Sequence, residues 1–437
     1  MLKRSLVHSA TQNSNVFPQV IKMNLDLATL RAEYEQYKSM GLKLDMSRGK
    51  PSTQQLDTME RLLTAVTTRE ECISENGVDC CNYGGLDGID ESKRLFASML
   101  GLTMHEIIVG GNSSLNLMYD TIARAMSHGV VDGMKPWAKY DKVSFLCPVP
   151  GYDRHFAICE YFNINMINVP MNDDGPDMDI VEKLVAEDET IKGIWCVPKY
   201  SNPSGITYSD ETVRRFARME TAAKDFRVFW DNAYVWHDLT DHPDYLLEVL
   251  HEAKKCGNED RFFIFASTSK ISFPGAGISC IASSRANVQR ILKELAIQTV
   301  GPDKLNQLRH ARVFRTFDDI KAQMGVHLSL IRPKFELVRR SFTNELSDIK
   351  DVWWTNPNGG YFLALYTPNG TAKRIVTLAA EAGLKLTPAG ATHPYGNNPD
   401  DNVIRIAPTF PSLDELGRAL PVLCCCVKLA CAEKENA

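Results

Sequence analysis

The 437-residue chain has no apolar run long enough to span a bilayer, and a membrane-crossing helix needs about twenty such residues. It has no excess of positive charge: 49 Lys and Arg stand against 54 Asp and Glu, for a formal net charge of -5. That balance argues against a general nucleic-acid or membrane-surface binder. It has no paired C-x-x-C spacing, so its cysteines do not read as a zinc site and no metal is expected. It shows no repeats and no low-complexity linker, which argues against a solenoid or a string of tethered modules. With 44% apolar residues, the chain is long enough for one large core plus a smaller domain.

The twelve cysteines lie in apolar strand patterns (Cys147, Cys196, Cys280) or stand adjacent (Cys80-Cys81, Cys424-Cys425-Cys426). Free thiols in a reducing cytosol fit this distribution, so a cytoplasmic protein is expected. The triple cysteine admits a lipidation reading; within the apolar helical stretch Leu416–Ala430 it reads better as small core-facing residues. Met1–Lys22 lacks acidic residues and carries Lys3, Arg4 and Lys22. With one arginine and no amphipathic stripe, it reads as an extension rather than a transit peptide.

Leu25–Met40 has the pattern of an amphipathic helix, with Asn24 or Asp26 as cap and Gly41 as stop. From there to about Gly325, short β-branched and aromatic runs alternate with helical patterns. The strand candidates are Glu106–Val109, Lys142–Leu146, Asn165–Val169, Gly193–Val197, Arg227–Trp230, Phe262–Ala266 and Ile278–Ala282. This alternation predicts an α/β fold, a mostly parallel sheet covered by helices. Ligands of such sheets gather beyond the carboxyl ends of the strands. A long helical pattern, Gln323–Leu346, then leads into a smaller α/β segment with Tyr361–Leu365 and Val403–Ala407.

Chemistry-bearing residues stand at those strand ends. Lys270 follows Phe262–Ser269 and precedes the turn Phe273-Pro274-Gly275-Ala276-Gly277. Burial lowers an ammonium pKa, and a neutral lysine amine forms Schiff bases with aldehydes; a lysine that snorkels to solvent is the plain alternative. Asp231-Asn232-Ala233-Tyr234 follows Phe226–Trp230. A carboxylate there suits a pyridine ring whose nitrogen stays protonated, and Tyr234 suits its phenolate oxygen. A helix cap explains the same residues more simply. Asn202-Pro203-Ser204-Gly205 follows Gly193–Pro198; its asparagine suits the same oxygen, or the motif is an ordinary tight turn.

In this order, each after a strand, the three motifs resemble the fold-type I pyridoxal-phosphate aminotransferases of class I/II. The resemblance covers most of the chain. It implies pyridoxal 5'-phosphate as cofactor and a homodimer with shared sites. It also implies three parts: residues 1–50, an extension and a helix joining the small domain; 51–325, a large cofactor-binding domain; and 326–437, a small domain. Tyr83, in Tyr83-Gly84-Gly85-Leu86-Asp87-Gly88-Ile89, resembles the family tyrosine that reaches the neighbouring subunit's cofactor phosphate. Asn112-Ser113-Ser114 resembles the phosphate cradle at a helix N-terminus. Tyr152 matches the aromatic that stacks on the ring, Ser267 a phosphate-binding hydroxyl, and Arg405 the arginine that grips the substrate α-carboxylate.

One departure stands out. Most members carry an arginine shortly after the cofactor lysine, whereas this chain reads Pro274-Gly275-Ala276-Gly277-Ile278-Ser279; backbone N–H groups of the turn are the available substitute. That turn, Ser47-Arg48-Gly49-Lys50-Pro51 and the stretch Gly301–His310 look most like an atypical aspartate aminotransferase group, related to aminotransferase-like domains of bacterial regulators. The resemblance implies transfer from L-aspartate to 2-oxoglutarate. Gly49, Asn202, Arg405 and Lys304 are then the substrate-binding candidates, with Arg309, Arg48, Lys50 and Arg154 as other cations near motif loops. Two rivals remain: another enzyme on the same fold, such as an aromatic or alanine aminotransferase, a β-lyase or a decarboxylase, and a regulator's ligand-sensing domain. Against the latter, no basic recognition helix is present.

Overall fold

The computed structural model describes residues 26–437, so the extension Met1–Lys22 and the Asn24 cap fall outside it. The first helix, Leu27–Ser39, is capped by Asp26, whose carboxylate accepts from the Ala28 and Thr29 amides.

The central sheet has eight strands. In spatial order they are Ile107–Val109, Ser279–Ala282, Phe262–Ser267, Arg227–Asp231, Ile191–Cys196, Ser144–Val149, Asn165–Asn172 and the short Gly175–Pro176. The run from Phe262–Ser267 to Asn165–Asn172 is parallel; Ser279–Ala282 and Gly175–Pro176 are antiparallel to their neighbours. Both faces are buried, and the period-2 alternation of a strand splits its side chains between them. Phe262, Ile264 and Ala266 join one apolar cluster with Val228 and Trp230. Phe263 and Phe265 join the other, with Phe229. Phe229 meets Phe145, Trp195, Phe263 and Phe265 ring to ring, so truncating it to Ala costs about 3–5 kcal/mol.

Each expected strand is present with shifted ends. Glu106 is not in the first strand because its carboxylate turns back to the Thr103 amide as a helical cap; the strand starts at Ile107. The next runs on from Leu146 to Val149, following its parallel neighbour through Val149 opposite Pro170. The long helix begins at Phe317, before the expected Gln323, because Thr316 and Asp319 cap it reciprocally. Its first turn carries Asp318 and Asp319, which masks the apolar periodicity there.

The first helix and the C-terminal elements share a third core. Strands Trp353–Trp354, Leu363–Tyr366 and Val403–Ile406 form an antiparallel sheet. Helices Phe317–Leu346 and Leu413–Glu435 pack on it together with Leu30 and Tyr34 of the first helix. Leu44–Asp45 pairs in parallel with Leu384–Lys385, tying the N-terminal part to the C-terminal one. Cys424, Cys425 and Cys426 are buried in that last helix. All twelve cysteines are free thiols. Among the described residues, no helix is long and apolar enough to cross a membrane.

Candidate active site

The carboxyl ends of the parallel strands open onto a cavity of about 430 Å³. Its walls include Asn112, Ser113, Ser114, Tyr152, Asn202, Asp231, Tyr234, Lys270, Arg405 and Gly49. Residues far apart in sequence converge there because parallel strands end on one side of the sheet. A larger open cleft of about 690 Å³, beside Tyr245, Trp353 and Tyr366, holds none of these groups.

Lys270 stands in the turn after Phe262–Ser267, its carbonyl accepting from the Tyr361 hydroxyl at 3.4 Å. Its Nζ lies 4.9 Å from the Tyr234 ring centre and 5.9 Å from that of Tyr361. The side chain reaches the cavity, yet the surrounding protein lowers its pKa by desolvation, opposed in part by Asp231. The amine is thereby shifted toward the nucleophilic neutral form.

Asp231 closes its strand with the two carboxylate oxygens in different settings. Oδ2 lies 3.0 Å from Nε2 of His155, and the imidazole stacks on Trp195 at 4.3 Å. Oδ1 is buried without a hydrogen-bond partner. Asn202 Oδ1 is likewise buried and unpartnered, in a turn whose Asn202–Pro203 peptide is cis. Orphaned acceptors of this kind are costly unless something arrives to donate to them. Tyr152 precedes helix Asp153–Tyr161; burial, and then the Asp231 charge, pushes its phenol up to about 12. The Tyr234 phenol is also raised, chiefly by burial, so both tyrosines stay protonated donors at neutral pH.

In the same cavity wall, Ser113 and Ser114 open helix Ser114–His128, whose free amides and macrodipole favour an anion. Asn112 donates to the Pro274 carbonyl at 3.2 Å. Asn306 holds the other side of the same arginine-free turn, donating to Ala276 and Gly277 carbonyls at 3.0 and 2.8 Å. Arg405, on strand Val403–Ile406, donates to Asp153 at 2.9 Å and to Thr387 at 3.3 Å. Its guanidinium lies 5.0 Å from the Phe362 ring centre. Gly49 is packed so closely that a Cβ would overlap that ring.

Three expected site residues lie off this cavity. Ser267 is buried and hydrogen-bonds Ser269 at 2.8 Å; Ser269, beyond the strand end, lines the wall instead. Tyr83 is 83% exposed and faces outward. Lys304 is 2% exposed, and its Nζ donates to the carbonyls of Asn82 and Gly84 at 2.8 and 2.6 Å. It clamps the Tyr83 loop, because a buried ammonium must find acceptors. Arg48, Lys50 and Arg154 do line the cavity. Sequence reading missed His155, Asp153, Ser269 and Phe362 as site residues. His155 had a signal: it follows Tyr152 by three residues, the spacing that sets two side chains next to each other on a helix.

A family model described as aspartate amino-transferase matches residues 22–437. The chain belongs to the aspartate amino-transferase family. An aspartate aminotransferase of Corynebacterium glutamicum is 43% identical over 404 residues, covering 92% of this chain and 93% of that protein. A Mycolicibacterium smegmatis protein, named provisionally as an aminotransferase, is 48% identical over 401 residues, 92% of this chain and 94% of its own. The crystal structure of an aspartate transaminase from Corynebacterium glutamicum superposes with a TM-score of 0.91 at 42% identity, covering 93% of this chain and 96% of the other.

The aspartate amino-transferase family is one of pyridoxal-phosphate-dependent enzymes, and the cavity fits that cofactor. The unpartnered Asp231 Oδ1 suits a protonated ring nitrogen, the unpartnered Asn202 Oδ1 a further polar donor, and the Ser113–Ser114 helix terminus a phosphate. Lys270, with its lowered pKa, has the chemistry to bond an aldehyde.

Proposed function

We propose that the chain moves the amino group of L-aspartate to 2-oxoglutarate in a ping-pong cycle, as a cytoplasmic homodimer. The observation that carries the substrate reading is the cation content of the cavity. Besides Arg405, its walls carry Arg48, Lys50 and Arg154, enough to receive a second carboxylate. Lys50 rests 3.8 Å from the Phe410 ring centre, so its ammonium is held by an aromatic face rather than by an acid. The name of the 43%-identical relative points the same way.

When bound, pyridoxal phosphate supplies an electron sink for the charge left on the substrate α-carbon. The chain supplies the rest. Arg405 presents a planar fork that orients the α-carboxylate. Lys270 would be the side chain that holds the cofactor, and its Nζ, with its pKa lowered by burial, would serve as the base that moves the α-proton. Asp231 Oδ1 would keep the ring nitrogen protonated, with His155 fixing that carboxylate through Oδ2. Tyr152 would cover one face of the ring, and the Tyr234 hydroxyl and the Asn202 side-chain amide N–H would donate to its phenolate oxygen. Tyr83, with its ring exposed, would reach the partner's phosphate, each subunit lending it to the other. Buried free thiols support the reducing compartment.

The test is a half-reaction with a panel of amino acids, followed by cofactor absorbance. Conversion to the aminated cofactor, fastest with aspartate, supports the proposal. Pyruvate and ammonia mark a lyase, and faster conversion with alanine or an aromatic amino acid removes the dicarboxylate reading.

A further inference from the structure

Asp153 and Arg405 form an ion pair inside the cavity itself. Arg405 Nη1 donates to Asp153 Oδ1 at 2.9 Å, with side-chain exposures of 8% for the arginine and 33% for the aspartate. The other tether of Arg405 is neutral: Nε donates to the Thr387 hydroxyl, which in turn donates to the Ser47 carbonyl at 2.8 Å. Asp153 and Asp231 are the two carboxylates lining the cavity, and Asp231 is engaged with His155.

The two partners of the pair depend on each other unequally. Arg405 is buried, and without Asp153 it would hold a guanidinium with no anion, which a protein interior penalises heavily. Asp153 is a third exposed and opens helix Asp153–Tyr161. The unsatisfied amides and macrodipole of that helix terminus, together with water, stabilise its carboxylate when Arg405 turns away. Arg405 therefore always requires a carboxylate, whereas Asp153 does not require a cation.

We infer that Asp153 is an internal stand-in for the substrate α-carboxylate: it occupies Arg405 in the unliganded site and yields it when an amino acid binds. The inference rests on the reading of Arg405 as the α-carboxylate receptor. Asp153 is a positioning residue that sets apparent affinity, because every substrate carboxylate competes with it. A site whose binding-competent form is only part of the population shows an affinity reduced by that fraction.

The experiment compares competitive inhibition constants of succinate and propionate for the holoenzyme and for Asp153→Asn, Asp153→Ser and Asp153→Glu. Circular dichroism and cofactor absorbance establish that each variant is folded and loaded. Both neutral variants are expected to bind both probes more tightly, on the order of 5- to 30-fold, by the same factor for each probe. Asp153→Glu, which keeps the charge, should return the constants toward the wild type. Constants that are unchanged or larger in the neutral variants overturn the inference, since a merely structural anchor for Arg405 weakens binding when removed. The dicarboxylate reading is judged separately: it fails if propionate matches succinate in the wild type, whatever Asp153 does.

Discussion

Replacing Asp231 with Asn removes a charge and almost no volume. Oδ2 keeps its 3.0 Å neighbour in His155, while Oδ1 is buried with nothing to accept from. In the cofactor-free protein that oxygen carries a penalty of about 1–3 kcal/mol, so the neutral amide should leave the apo-protein as stable as the wild type or slightly more so. With a protonated ring nitrogen at about 3 Å, Coulomb's law at an effective dielectric of 20 allows up to about 5 kcal/mol between the charges. Part of that is spent on desolvation, leaving roughly 3–4 kcal/mol, or a 10²- to 10³-fold slower removal of the α-proton. Rapid mixing of holoenzyme with aspartate, followed by absorbance, measures the half-reaction; a thermal melt of the apo-protein measures the other prediction. Asp231→Asn turning over within about tenfold of the wild type would refute the electrostatic role of this carboxylate.

Lys270→Ala should lose covalent attachment of the cofactor and several orders of magnitude of turnover; borohydride reduction and peptide mapping check it, and an adduct on any other lysine overturns it. Mixing Tyr83→Ala with Lys270→Ala should recover activity that neither has alone, because the heterodimer contains one intact site; a fully active monomer in solution rules out the shared site. Gly49→Ala drives a methyl into the Phe362 ring. Overpacking at such a contact costs about 1–3 kcal/mol, so KM should rise several-fold with little change in melting temperature, and an unchanged KM would show that the loop yields freely.

The framework was legible because it depends on local pattern. Strands buried on both faces read as continuous apolar runs, and Lys270, Asp231 and Asn202 stand where those runs stop. What the pattern cannot carry is pairing at a distance. His155 and Asp231 are 76 residues apart, and Asp153 and Arg405 are 252 apart; neither pair shares an element, so no periodicity links them. The exchange of Ser267 for Ser269 on the wall has a different origin. The strand ends at Ser267, and the chain then turns, so a position inside the strand is packed while the one beyond it faces the cavity. The arginine-free turn was legible as a gap, but its bracing was not: Asn112 approaches it from the loop before helix Ser114–His128 and Asn306 from helix Lys304–Val313.

Lys304 tests whether charge near a motif means contact with substrate. Its two hydrogen bonds fall on the carbonyls either side of Tyr83, and the same loop is tied back by the Gly84 amide donating to the Val300 carbonyl at 2.9 Å. Removing the ammonium in Lys304→Ala leaves the Asn82 and Gly84 carbonyls without it, at about 1–3 kcal/mol for each that stays unsatisfied. The loop that presents Tyr83 should then lose its fixed shape. A lysine that anchored the distal carboxylate of aspartate would, on removal, depress efficiency with aspartate far more than with alanine. A lysine that shapes the Tyr83 loop should depress both equally, with a parallel loss of cofactor affinity. Measuring kcat/KM for the two substrates beside the cofactor dissociation constant separates the roles. Equal losses with weaker cofactor binding fit the clamp; a selective loss with aspartate would move Lys304 back into the substrate site.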